Sequence, residues 1–171
     1  GDVVALLVYT GLRFGELAGI NVEDVDLQAR RIRVRRSITQ LSGRLIEGPP
    51  KSRAGRRSVP IPERLVPILE RRIGGRAAGE PAITSPKGGR LGIENWKRAV
   101  GWRLIIAELG RPTMRVHDLR HTYASLARSA GADMKLLQVT MGHASILGTA
   151  HTYADLYDSD LDRVADALDG L

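Results

Sequence analysis

The stretch HDLRHTYAS, residues 117–125, puts His117, Arg120 and His121 within two turns of a predicted helix. Residues three and four apart share a helix face, so these three side chains can point into a common space. In a chain with only 4 histidines, such a cluster marks a place where something anionic could sit. His117 and His121 also have the i, i+4 spacing of a zinc pair. No glutamate lies between them in an H-E-x-x-H arrangement, however, and Arg120 would repel a cation, which ranks zinc well below phosphate.

The pattern on either side of this stretch is helical. A helix is expected over 116–130, with Gly131 as its C-cap. Asp133 caps a short helix ending at Met141–Gly142, Ser145 caps the next, and 161–168 closes the chain with an apolar stripe. Upstream, 93–109 reads as one amphipathic helix, broken by Gly110-Arg-Pro-Thr. At the start, DVVALLVYTGLRFGEL is a helix ending near Thr10-Gly11, with a second helix beginning over 12–19. RRIRVRRSIT alternates Ile32 and Val34 with Arg31, Arg33 and Arg35, a strand with one apolar and one cationic face. GPPKSRAGRRSVPIP supplies a basic turn, and RRSVPI returns as another strand. Residues 62–72 look helical despite Pro67, and 74–86 is a loop. The class is therefore α+β: mostly helices, with a small antiparallel sheet of two or three strands, in one domain of 171 residues.

Charge narrows the partner. With 26 Lys plus Arg against 19 Asp plus Glu the net charge is +7, which favours a polyanion, most simply nucleic acid. Arg30, Arg31, Arg33, Arg35, Arg36, Arg44, Lys51, Arg53, Arg56 and Arg57 crowd one segment whose only acid is Glu47. Such a block is an electrostatic footprint rather than a self-neutralising face. Residues 154–171 are acidic, and that end should not face DNA. With 0 cysteines there are no disulfides or thiolate metal sites, a usage compatible with a reducing cytosol. Neither a membrane span nor a signal peptide is expected.

Arg13 beside the helix break, Lys51 in the basic turn, His117 and Arg120 on one helix, His143 at a helix end and Tyr153 ten residues later are each unremarkable alone. Together they suit one reaction. Two arginines can clamp a phosphodiester and stabilise the extra charge of pentacoordinate phosphorus. A histidine can take the proton of a tyrosine, and a lysine can protonate the departing alkoxide. The tyrosine becomes covalently joined to DNA and the ester energy is kept, so rejoining needs neither ATP nor a metal.

These residues, in this order, resemble the catalytic domain of tyrosine recombinases, the phage-integrase family. The resemblance spans TGLRFGEL, PPKSRAGRRSVPIP, HDLRHTYAS and MGHASILGTAHTYADLY, nearly the whole chain. It implies that Arg13 and Arg120 clamp phosphate, Tyr153 is the nucleophile, Lys51 the general acid for the 5′-hydroxyl, His117 the general base, and His143 a second hydrogen-bonding histidine. Glu16 matches an acidic support position with an orienting role, and His121 has no catalytic counterpart. The Gly-His to Tyr spacing selects Tyr153 over Tyr157, which is assigned to packing. Two positions depart from the family pattern: MGH replaces the commoner LGH, and Gly148 stands where longer side chains are usual.

The implied function is site-specific DNA breaking and joining on double-stranded DNA through a 3′-phosphotyrosyl intermediate, without a cofactor. It implies a cytoplasmic, nucleoid-associated protein that self-associates, as a tetramer on DNA in the full-length form. The family's N-terminal DNA-clamping domain precedes the first arginine motif, so an isolated catalytic domain is expected here. Type IB topoisomerase-like relaxation, a non-catalytic DNA-binding module and a metal-dependent nuclease are the alternatives. Arg33, Arg35, Arg53, Arg56, Arg57, Lys87, Arg90 and Lys97 are expected to grip phosphates. Leu156, Leu161, Val164 and Leu168 offer an apolar face that could dock on a neighbouring subunit or on the same domain.

Overall fold

A computed structural model describes residues 1–145, and the expectations for Ser145 as a cap, Gly148, Tyr153, Tyr157 and the 161–168 helix concern chain beyond those residues or at their edge. Helix α1 (Asp2–Thr10) buries Leu6 and Leu7 and stops where Gly11 adopts φ 65°. Only glycine fits there. The conformation is left-handed, and a Cβ would lie 2.4 Å from the Tyr123 ring. Helix α2 (Phe14–Gly19) starts at Arg13, with Glu16 accepting from the Arg13 backbone N–H at 2.9 Å. That carboxylate satisfies one of the donors a helix start leaves open.

Two small antiparallel sheets follow. β1 (Val25–Asp26), β2 (Arg31–Val34) and β5 (Arg57–Pro60) form the first, in the order β1-β2-β5, and β3 (Ser37–Leu41) pairs with β4 (Arg44–Gly48) in the second. In β2, Ile32 and Val34 are buried while Arg31 and Arg33 face solvent, the alternation expected of a half-buried strand. The strand expected from RRIRVRRSIT, residues 30–39, is instead divided at Arg35 and Arg36. Both arginines turn toward the fully buried Asp24, with Arg36 Nη1 at 2.7 Å and Arg35 Nε at 3.6 Å from its carboxylate, and this pull breaks the alternation.

Helix α3 (Val66–Ile73) carries Pro67 in its first turn, where no N–H is needed. The helix expected over 93–109 is two: α4 (Ile93–Ala99) and α5 (Trp102–Glu108), separated by Gly101 at φ 65°. The break lets Trp96 meet Trp102 at 5.6 Å between ring centroids, with Phe14 on the other side of Trp96 at 5.4 Å. Helix α6 (Asp118–Ser129) packs on α1. Helix α7 (Met134–Met141) is capped as expected: Asp133 accepts from Leu136 N–H at 2.7 Å, and Gly142 ends it at φ 67°.

One large core joins α1, α2, β2, β5, α3, α4 and α5 through Leu6, Leu17, Ile32, Val59, Leu69 and Trp96. A smaller cluster of Tyr123, Ala124, Leu137 and Met141 seats α7 against α6. Among the described residues no helix is long and apolar enough to cross a membrane.

Candidate active site

The site is built where the start of α2 and the end of α7 meet the turn between β4 and β5, with His117 near enough to act electrostatically on His143 but not among the residues that line the cleft. Arg13 sits at the start of α2, His117 at the start of α6, and His143 just beyond the end of α7. Lys51 lies in the turn that follows β4. Arg13, Lys51, Ser52, Gly142, His143, Ala144 and Ser145 line an open cleft of about 410 Å³. Residues from three distant parts of the sequence thus share one wall-to-wall space.

Glu16, 2% exposed, organises the Arg13 side of this cleft. Its Oε1 accepts from Arg13 Nη1 and Arg57 Nη1, both at 3.0 Å, and its Oε2 accepts from the Arg13 backbone and Arg57 Nη2. Burial alone would raise its pKa. The Arg57 and Arg13 contacts outweigh that and hold the carboxyl below its ordinary value, so it is ionised at neutral pH.

Arg120, 2% exposed, stands behind the cleft. Its Nη1 donates to the Gly11 carbonyl at 2.5 Å, and its Nη2 donates to the Met141 carbonyl. Arg57 Nε donates to the adjacent Thr140 carbonyl at 2.7 Å. Two cations therefore occupy carbonyls at the last turn of α7, where the helix leaves acceptors unpaired and its dipole favours positive charge. The backbone then turns through Gly142 directly into His143.

That concentration of positive charge acts on the two histidines. His143 is lowered to about 4, by burial first and then by Arg120, Arg13, Arg57 and His117. His117 is lowered by partial desolvation, then by Arg120, His121, Arg13 and Arg115. Both imidazoles are neutral at neutral pH, the form able to accept a proton. The His117 and His121 rings meet edge to face at 5.8 Å, which accounts for His121 as a packing partner. Among the described residues no cluster of three or more His, Cys, Asp or Glu could hold a metal ion.

A pH prediction follows from His143. An unfolded histidine binds a proton below about 6.5 while the folded one resists until about 4, so stability is full above 6.5 and falls as pH drops through that window. NMR titration should find this imidazole still neutral at pH 5, and His143→Gln should flatten the slope of unfolding free energy between pH 4 and 6.5. A normal titration near 6.5 would remove the effect.

The residues expected to grip phosphate divide. Arg53, Arg56 and Lys87 are exposed. Arg33 and Arg35 are about half exposed; Arg33 lies 3.2 Å from the partly exposed Asp26, a surface pairing weak enough to exchange for a phosphate, whereas Arg35 leans on the buried Asp24. Lys97 pairs with Glu94 along one helix turn. The Arg57 side chain is 5% exposed and bidentate on Glu16, so it faces inward, whereas Arg90 donates to the Ala18 carbonyl, Asn21 Oδ1 and Glu47 while staying partly exposed beside Lys87. The signal for Arg57 was in the strand period: it shares a face with Val59, which is 0% exposed.

The family model described as the phage integrase family matches residues 2–160. An integrase of Mycobacterium phage D29 is 33% identical over 149 residues, covering 83% of this chain and 39% of the relative. Tyrosine recombinase XerC of Mycobacterium leprae is 31% identical over 170 residues, covering 96% of this chain and 52% of the relative. The chain thus spans between two fifths and about half of these curated relatives. The Tn1549 transposon integrase, solved with transposon right end DNA, shares the fold with TM-score 0.76 at 24% identity, over 96% of this chain and 58% of that one.

Proposed function

The chain belongs to the phage integrase family, and from that premise we propose that this domain breaks and rejoins double-stranded DNA through a covalent 3′-phosphotyrosyl link to Tyr153. The observation that carries the reading is the convergence of Arg13, Lys51 and His143 on one cleft, with the charges of Arg120 and Arg57 directly behind it. In this reading the scissile phosphate lies in the cleft. The Tyr153 oxygen attacks phosphorus and gives its proton to neutral His117. The bond from phosphorus to the 5′-oxygen breaks, and the Lys51 ammonium protonates that oxygen. Arg13 and the cations behind it oppose the charge that grows on the phosphoryl oxygens, and His143 donates a hydrogen bond to one of them. One phosphodiester is exchanged for another, so attack by a 5′-hydroxyl reverses the step without ATP or a metal. Self-association on DNA, and the tetramer of the full-length form, belong to the same proposal.

The test is covalent capture. The protein is incubated in EDTA with a pool of nicked duplexes carrying a randomised core, and DNA-linked protein is recovered on a denaturing gel and mapped by mass spectrometry. A DNA-linked peptide containing Tyr153 is the expected result. No adduct, an adduct on another residue, or cleavage that ceases in EDTA would overturn the reading.

DNA affinity gives a separate prediction. Arg53 and Arg56 are exposed next to Lys51. Replacing both by alanine should make the slope of log K against log salt less negative by about 2 units, roughly 0.9 per phosphate lost. Binding titrations across salt concentrations measure this, and an unchanged slope would place the DNA backbone elsewhere.

A further inference from the structure

Arg57 opens β5 opposite Val34 and on the same face as buried Val59, so the strand period sends its side chain inward. A guanidinium has five N–H donors in a fixed plane. In Arg57 they reach three separate segments of the site. Two go to the Glu16 oxygens, whose carboxylate also holds the Arg13 backbone and guanidinium. One goes to the Gly55 carbonyl at 3.1 Å, in the turn that carries Lys51. Nε goes to the Thr140 carbonyl, just before Gly142 and His143. The fit at the last of these is close: a Cβ on Gly142 would lie 2.8 Å from Arg57 Nη1 and 2.9 Å from the Ala54 carbonyl.

We propose that Arg57 is a positioning residue that sets Arg13, the Lys51 turn and His143 in register with one another, a role that rests on the DNA-cleavage reading above. It contacts none of the reacting atoms. Its planar fork fixes the distance between α2 and the end of α7 while its Nη1 holds the turn between them. A lysine at this position keeps the charge but offers one compact ammonium, which cannot span the carboxylate and two carbonyls in the same plane. A shift of about 1 Å between groups that act on one phosphorus costs on the order of 100-fold in rate. The prediction for Arg57→Lys is therefore a defect in the chemical step with DNA binding retained.

The experiment compares Arg57→Lys with the parent chain in three measurements. DNA affinity should stay within about twofold, because the side chain is 5% exposed. Single-turnover cleavage at saturating DNA, normalised to the folded fraction, should fall about 100-fold. Without DNA, the amide NMR signals of Gly142 and His143 should move. Arg57→Gln, which retains amide donors, is the second variant should the lysine chain fail to fold. A weakened affinity with the saturated rate intact would mean that Arg57 grips phosphate, overturning the proposal. So would a parent-like rate per folded molecule, the signature of a purely structural residue. If the parent itself forms no adduct, the cleavage reading fails separately, and unmoved Gly142 and His143 signals would still overturn the positioning role.

Discussion

Glu16→Ala is expected to cost about 4 kcal/mol of stability and to remove cleavage activity, the larger of the two main effects foreseen. The carboxylate is 2% exposed and accepts from two guanidinium groups, one of them on a side chain only 5% exposed. Deleting it leaves Arg57 buried without its counter-ion and sets Arg13 and Arg57 against each other. Breaking a buried pair by removing one partner is costly for that reason, whereas removing both is not. The double change Glu16→Leu with Arg57→Met should therefore recover most of the lost stability, and urea unfolding of the four proteins of that cycle measures the coupling. Additive losses would mean that the pair is not coupled. The pH dependence has a definite sign. Because the folded pKa of Glu16 is depressed, its contribution is present above about 4.5 and is lost as pH falls through the folded value, so the parent's acid-unfolding limb should shrink in the Glu16→Ala chain.

Arg120→Ala should cost about 3 kcal/mol, from two lost charged hydrogen bonds to carbonyls and the space left behind, and lower cleavage by roughly 1000-fold. Its donors join Gly11, which leads into Arg13, to Met141, which leads into His143. Removing it withdraws both support and positive charge from the cleft. The charge has its own readout, because Arg120 is the first electrostatic cause, after burial, of the low His143 pKa. In Arg120→Ala that imidazole should titrate closer to its ordinary value. Thermal melts and an NMR titration check the two halves, and a variant that melts with the parent while His143 titrates unchanged would refute the assignment.

The helices were legible in the sequence where punctuation was explicit. Asp133 and Gly142 bound α7 as expected, and Thr10-Gly11 ended α1. What escaped was set by contacts distant in sequence. Gly101 could have been tolerated inside a helix, but packing between Trp96 and Trp102 favours a break there. Asp24 gave no local sign that it would be buried and draw Arg35 and Arg36 out of strand alternation. The candidate site was legible as an ordered motif set, and the structure brings Arg13, Lys51 and His143 to one cleft. The arginines were harder to sort. Charge density marks a cationic region without saying which members face inward, and for Arg57 only its phase relative to Val59 distinguishes it from exposed Arg56.

The contacts that hold the end of α7 have a kinetic meaning. Arg57 reaches Thr140 across 83 positions of chain, and Arg120 reaches back to Gly11 across 109. Contacts between such remote residues close large loops, and they reward the chain only after that entropy has been lost. As the polypeptide emerges from its N-terminus during synthesis, Arg13, Glu16 and Arg57 exist long before the carbonyls that complete their arrangement. Assembly of the cleft is thus a late folding event: a partly made chain already carries the cationic strand surface, but the walls of the cleft meet only when α7 docks.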